Sequence, residues 1–199
     1  RKAAAEIHFL HLDSELQPKN VKGKDALKAT EQALEIIRNR NSHSKAEVTT
    51  ALRTVINLMC DMHNLSNVVI EDIPLSHEED FKVGTSKGTA NGRKATITPY
   101  SWKSLWTHRY VTYHGAYSPA MWAKDIVIMH GDKKAQYSAG TLRDWANDVG
   151  QYTKSMYDLL EANGGNFLHP IIQAHEEFHM SCLARAAYRI AVLLNENLK

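Results

Sequence analysis

A column of polar side chains follows one face of a predicted helix near the middle of the sequence. Within residues 46–67, Arg53, Asn57, Asp61 and Asn64 are spaced by four, four and three residues. A helix with this spacing places them one above another on the same face. Asp61 in such a column is either an ordinary surface carboxylate or what remains of a row of metal ligands. The column alone leaves both interpretations open.

A second group of residues whose side chains can bind a metal is His175-Glu-Glu-Phe-His179. This segment fits the H-E-x-x-H pattern of zinc metalloproteases. Two imidazoles one helical turn apart can share a Zn²⁺, with Glu176 as the general base. No third ligand follows, because residues 180–186 read Met-Ser-Cys-Leu-Ala-Arg-Ala and lack the H-x-x-G-x-x-H continuation. His175 also shares the apolar stripe of its helix, which is typical of a packed histidine. His175 and His179 are therefore an alternative metal site.

Composition describes an ordinary globular chain with no strong electrostatic preference. Of its 199 residues, 43% are hydrophobic and 23% are charged, and the net charge is +2 at pH 7. This length suits one good-sized core, so we expect a single domain over residues 1–199. The small net charge gives no argument for long-range capture of nucleic acid or of an anionic membrane. The longest apolar runs are too short to span a bilayer.

The cysteines, the histidines and the N-terminus each leave a question open. Cys60 and Cys182 allow at most one disulfide, and their helical surroundings favour two buried, reduced thiols. Eleven histidines are more than usual and make metal binding worth considering. The chain begins at Arg1 with no signal peptide, so either the N-terminus was processed or a preceding segment is missing.

Helical periodicity predicts most of the secondary structure. Asp25 and Ser44 are the expected N-caps of two helices, and Glu47 completes a capping box with Ser44. The segments around residues 81–84 and 93–99 flank a Gly-containing stretch, which favours a short β-hairpin. The sequence therefore predicts a mainly α fold, one helical domain with a small β-hairpin. Its helices are expected over 2–12, 25–40, 46–67 (ending in a turn), 121–130, 142–161 and 170–198.

The apolar stripes of these helices identify side chains expected in the core. For the helix that begins at residue 25, they are Leu27, Thr30, Leu34 and Ile37. For the polar-column helix, they are Val48, Leu52, Val55, Ile56, Met59 and Met62. For the last helix, they are Ile171, Phe178, Cys182, Leu183, Ala186, Ile190 and Leu193.

Five segments, in order along the chain, resemble segments of the zinc-dependent S1/P1 nuclease family. The family's segments are a short H-Y/F pair, G-D-x-H-Q-P-L-H, N-L-H-x-x-W-D, W-A-x-E and A-G-x-R-L-A-x-L-L-N. Their counterparts here are Ile7-His-Phe-Leu-His-Leu12, Cys60-Asp-Met-His-Asn-Leu-Ser-Asn67, Ser101-Trp-Lys-Ser-Leu-Trp-Thr107 (within residues 92–111), Trp145-Ala-Asn-Asp148 and Ala186-Ala-Tyr-Arg-Ile-Ala-Val-Leu-Leu-Asn195. The resemblance covers nearly the whole chain and implies the phospholipase C/P1 nuclease fold.

The resemblance also implies a chemistry and a set of ligand positions. The family uses a trinuclear zinc site to hydrolyse phosphodiester bonds of single-stranded nucleic acid and 3′-phosphates of nucleotides, with metal-bound water as nucleophile. His8 matches a ligand histidine, and Asp61 matches the carboxylate that bridges two metals. The family's N-terminal segment, which carries further ligands, would precede Arg1, so we expect this chain to lack it. The remaining ligand positions carry replacements, with Asn57, Asn67 and Lys103 standing for histidines and Thr107 for an aspartate.

These replacements remove most of the zinc chemistry that the resemblance implies. Amide and ammonium groups bind Zn²⁺ poorly or not at all, and Lys103 places a positive charge where a cation would bind. We therefore expect no intact catalytic set, zinc that is absent or reduced, and a non-catalytic relative that binds a nucleotide, a phosphate or another partner.

Two enzymatic alternatives stay open. The first is an active phosphodiesterase with a reduced metal site, and the second is the H-E-x-x-H metalloprotease. By resemblance, single-stranded nucleic acid is a candidate partner, and the protein is secreted or periplasmic. The sequence does not define the oligomeric state.

Overall fold

The computed structural model describes residues 7–19, 21, 25–73, 82–83, 87–90, 93–96, 100–101, 118–162 and 169–199. The helices are α1 (Ala26–Arg38), α2 (Lys45–Met62), α3 (Pro119–His130), α4 (Lys134–Ser138), α5 (Leu142–Ala162) and α6 (His169–Asn197). The strands are β1 (Leu10–Leu12), β2 (Val68–Ile70), β3 (Lys82–Val83), β4 (Lys87–Ala90), β5 (Arg93–Thr96) and β6 (Tyr100–Ser101). Short 3₁₀ helices cover Arg40–Ser42, Leu65–Asn67 and Gly131–Lys133. The fold is mainly α, as predicted.

Helices α1 and α2 pack against each other as a helical hairpin, and both begin at the predicted caps. The side chain of Asp25 accepts hydrogen bonds from the backbone N–H groups of Leu27 and Lys28. Ser44 and Glu47 form the reciprocal capping box that their spacing predicts. The predicted core positions of α1 are confirmed, since all four are buried.

The prediction of a helix over residues 2–12 is wrong for its last part, because Leu10–Leu12 is a strand. Strand β1 pairs in parallel with β2, with Leu10 opposite Val68 and Leu12 opposite Ile70. Leu10 and Leu12 are buried and His11 between them is only half-buried, which is the two-residue period of a strand. Residues 1–6 lie outside the described part of the chain.

The predicted β-hairpin is present, but with a different pairing of its strands. Strand β5 pairs in antiparallel orientation with β4, whereas β3 pairs with β6. The 81–84 and 93–99 segments, which the sequence predicts as the two arms of one hairpin, therefore belong to two separate strand pairs. The sequence also predicts a helical turn over residues 102–106, and these residues lie outside the described part of the chain.

One hydrophobic cluster joins α1, α2, β1, β2, α5 and α6. In α2 the buried face includes Ala51, Val55, Leu58, Met59 and Met62. The predicted inward position of Ile56 is wrong: its side chain is 40% exposed, because it lies at the edge of the arc that these five residues define. None of the described helices has the length and apolar character that a membrane span requires.

Two further core predictions concern α6 and the cysteines. Leu183 is exposed rather than inward, while Cys182, Ala186 and Leu193 are buried as expected. Both cysteines are free, but the expectation of two buried thiols is wrong for Cys60, which is exposed. Burial raises the pKa of the Cys182 thiol to about 12, so this residue is an unreactive part of the core.

Candidate functional site

The polar column of α2 lies on the open face of the helix. Arg53 and Asn57 are exposed, and Asp61 and Asn64 are half-buried. The opposite face of α2 is packed into the core. The spacing in the sequence therefore predicts the placement of this column correctly. The C-terminal end of the column, at Asp61 and Asn64, lies next to the sheet formed by β1 and β2.

The structure brings His8 and Asp61 together although they are 53 residues apart in sequence. His8 lies two residues before β1, and Asp61 lies one residue before the end of α2. The chain returns from α2 to β2, which pairs with β1, and this pairing carries His8 to the end of α2. His8 Nδ1 donates to Asp61 Oδ2 at 2.6 Å, and the two side chains are 46% and 29% exposed.

The amides at the other predicted ligand positions follow the same surface. Asn57 is exposed one helical turn before Asp61, and Asn67 ends the 3₁₀ helix that follows α2. Asn64 is used locally, because its side chain accepts hydrogen bonds from the backbone N–H and the hydroxyl of Ser66. Lys103 and Thr107 lie outside the described residues.

This donor set does not fit a trinuclear zinc site. It offers one imidazole and one carboxylate, which are hydrogen-bonded to each other, and neutral amides beside them. Within the described part of the chain, no three His, Cys, Asp or Glu side chains come close enough together to hold a metal ion. These residues therefore do not support a reaction step on zinc.

The H-E-x-x-H segment lies within α6, so its predicted helical context is confirmed. The side chains of His175 and Glu176 lie outside the described part of this helix, while His179 is half-buried. The metal site at His175 and His179 stays a prediction.

Beside the candidate site lies a buried ionic cluster that the sequence analysis missed. Asp148 of α5 accepts hydrogen bonds from Arg185 Nη1 at 2.7 Å and from Arg189 Nη2. Arg185 also donates to the hydroxyl of Tyr152 at 2.6 Å. Both arginine side chains are nearly inaccessible, with 9% and 2% exposed. Their i, i+4 spacing among apolar residues of α6 was the available signal for a buried pair that needs a carboxylate.

His63 connects this cluster to the turn that follows Asp61. Its Nδ1 donates to the Met59 carbonyl oxygen at 2.7 Å, and its Nε2 accepts from Arg189 Nη1 at 2.9 Å. Burial, together with the positive charge of Arg189, lowers the pKa of His63 to about 3. The imidazole is therefore neutral at pH 7, with its proton on Nδ1, and it fixes the end of α2 against α6.

The cluster continues to the far end of α3. The Tyr137 hydroxyl lies 3.2 Å from His130 Nδ1 and 3.4 Å from the Ser181 hydroxyl, and the Arg185 guanidinium lies over the Tyr137 ring at 4.0 Å. His130 Nε2 is buried without a hydrogen-bond partner among the described residues. Burial is the main cause that lowers the pKa of His130, which keeps this ring neutral.

No protein-family model matches the chain, and no curated protein is significantly similar to it.

Proposed function

We propose that the protein is a non-catalytic relative of the S1/P1 nucleases that keeps their cleft as a binding surface for a nucleotide or another phosphate-bearing partner. The observation that carries the proposal is the direct hydrogen bond between His8 and Asp61. These are the two residues that the resemblance assigns to retained ligand positions, and they meet across the fold. The five sequence segments support the same relationship.

The loss of catalysis follows from the donor chemistry. A phosphodiester is cleaved in such a site because several metal ions generate hydroxide and neutralise the phosphoryl oxygens. Asn57 and Asn67 offer weak neutral donors at two positions where imidazoles are needed, and Lys103 offers a positive charge. His8 and Asp61 alone are too few ligands for this mechanism.

The binding role follows from the open face of α2. Arg53 and Asn57 are exposed one turn apart, and both carry N–H donors that suit phosphate oxygens. A guanidinium group can hold a phosphate through two parallel hydrogen bonds without any metal. This column therefore supplies recognition where the replaced ligands no longer supply catalysis.

The first experiment measures zinc per chain in protein purified without chelator or added metal, together with hydrolysis of single-stranded DNA and of 3′-AMP. We expect almost no zinc and no hydrolysis above a blank. Stoichiometric zinc with hydrolysis that Asp61→Ala abolishes would establish the active, reduced-site alternative. Zinc that is lost in His179→Ala instead would establish the metalloprotease alternative.

Binding is measured with the same preparation by titrating 3′-AMP and a fluorescently labelled oligothymidylate. We expect Arg53→Ala to weaken binding by about ten-fold, since a hydrogen bond to a charged group is lost. Arg143→Ala is the matched control, because Arg143 is an exposed arginine that pairs with Glu31 on a different surface. Equal binding by both variants and the native chain would contradict a role for the α2 column.

A further inference from the structure

A cavity of about 660 Å³ opens beside the two-stranded parallel sheet. Its volume is in the range of small-molecule sites, which is about 300–1,000 Å³. Val21, Val69 and Ile73 supply apolar walls, and neither His8 nor Asp61 lines it. The cavity is therefore separate from the nuclease-like site, and it needs its own explanation.

One wall of the cavity carries a histidine that the fold holds in a defined orientation. Asp25, which is 5% exposed, accepts hydrogen bonds from the backbone N–H and from Nδ1 of His11, at 2.9 and 3.0 Å. Asp25 is itself fixed as the N-cap of α1. Nδ1–H donates to Asp25, so Nε2 is the ring nitrogen of His11 that faces away from this carboxylate, and in the neutral tautomer it is a hydrogen-bond acceptor.

The charges at the rim of the cavity do not balance. Lys19 and Glu71 neutralise each other through an ion pair of 2.6 Å. Asp72 also lines the cavity, and its carboxylate has no hydrogen bond or ion pair among the described residues. Among the described residues, the lining thus presents one unpaired negative charge, at Asp72, and Nε2 of His11. A ligand with a carboxylate or phosphate would be repelled, whereas an ammonium group supplies both positive charge and donors.

We infer that this cavity binds a small organic amine, with its ammonium group paired to Asp72 and its apolar body against Val21, Val69 and Ile73. His11 accepts a hydrogen bond from the same ammonium group. Molecules that have no hydrogen-bond donor at this end therefore bind with lower affinity. This inference is independent of the proposed function, because it uses different residues and a ligand of opposite charge.

The experiment titrates the full ¹⁵N-labelled chain with 2-phenylethylamine and follows its amide spectrum. We expect saturable shifts in the 69–73 segment. Two probes of similar shape separate the contributions. The neutral 2-phenylethanol should bind about ten-fold more weakly, and phenylacetate should cause no shifts in this segment. Absence of shifts with the amine, or equal affinity for the amine and the alcohol, would overturn the inference.

The variant Asp72→Asn removes the charge and keeps the shape, and we expect it to weaken binding of the amine by about ten-fold. Asp72→Gly is a second variant that is expected to fold, because the φ angle of 67° at this position is one that glycine adopts readily. Asp125→Asn is the control, since it removes the same charge from α3, away from the cavity lining. Unchanged affinity in both Asp72 variants would overturn the inference. The readout does not depend on zinc or nucleotides, so failure of the proposed function leaves it unaffected.

Discussion

Asp148 accepts hydrogen bonds from two guanidinium groups that the fold has removed from water. Removing its charge leaves Arg185 and Arg189 buried without a counterion, which is far more destabilising than losing a surface pair. We predict that Asp148→Asn lowers the free energy of unfolding by about 3 kcal/mol, measured by urea denaturation.

Asp158→Asn is the control for this change at the residue scale. Asp158 pairs with Lys154 at 2.7 Å, and both side chains are about half exposed. Its replacement should lower stability by less than about 1 kcal/mol, because water screens and replaces the interaction. Similar losses in the two variants would show that the Asp148 cluster does not behave as a buried one.

Part of the candidate site was predictable from the sequence, but the buried ionic cluster beside it was not. The column through Asp61 was predictable, because helical spacing alone places its residues on one face. The contact of His8 with Asp61 depends on the pairing of β1 with β2, which helical spacing does not reveal. The link from His63 to Arg189 spans 126 residues, so no local pattern encodes it.

At the scale of elements, α5 approaches β1 so closely that Gly150 leaves no room for a side chain. A Cβ atom at this position would lie 2.4 Å from Leu12 Cδ1, and Leu12 is fully packed, with 1% exposed. We predict that Gly150→Ala lowers the free energy of unfolding by about 1–2 kcal/mol. The steric penalty exceeds the gain of about 1 kcal/mol in helix propensity.

Gly131→Ala is the matched control for the approach of α5 to β1. Gly131 has helical backbone angles, and the nearest atom to an added Cβ is Val127 Cγ1 at 3.7 Å, an ordinary contact. This variant should be neutral or more stable by up to about 1 kcal/mol in the same urea assay. A gain in stability for Gly150→Ala as well would contradict the close packing.

The helices were easier to predict than the strands for a physical reason. A cap such as Asp25 or Ser44 acts on N–H groups within three residues, so the signal and its target lie in the same short segment. Strand β1 has three residues, too few to establish a two-residue period, and its hydrogen-bond partner is far away in sequence. The exposure of Ile56 was not predictable from the sequence either, because the arc that α2 buries depends on which elements pack against it.

At the scale of the whole molecule, the buried neutral histidine makes stability depend on pH. The folded state holds the pKa of His63 at about 3, whereas its ordinary value is 6.5. Between these values the unfolded chain binds the additional proton, so stability is full above pH 6.5 and falls as the pH drops toward 3. We predict that this residue lowers stability by about 2 kcal/mol in total between pH 7 and pH 5, with a slope that approaches about 1.4 kcal/mol per pH unit only well below pH 6.5, measured as urea unfolding free energies.

His63→Gln separates this contribution from that of the carboxylates. Glutamine keeps an acceptor for Arg189 but cannot take up a proton, so the variant should show a shallower fall in stability over the same pH range. His43→Gln is the control at a half-buried position in the loop before α2, and it should follow the native curve. An unchanged slope in His63→Gln would contradict the assignment.

The parallel pairing of β1 with β2 joins Leu10 to Val68 across the α1–α2 hairpin. Closing a long flexible loop carries an entropic penalty that grows with its length, and the two helices shorten the flexible path between the strands. The sheet therefore depends on the hairpin, while the contacts of the hairpin are local and do not depend on the sheet. In hydrogen-exchange terms, the strand amides should open whenever the hairpin opens, so the contact between His8 and Asp61 lasts only as long as the least stable of these elements.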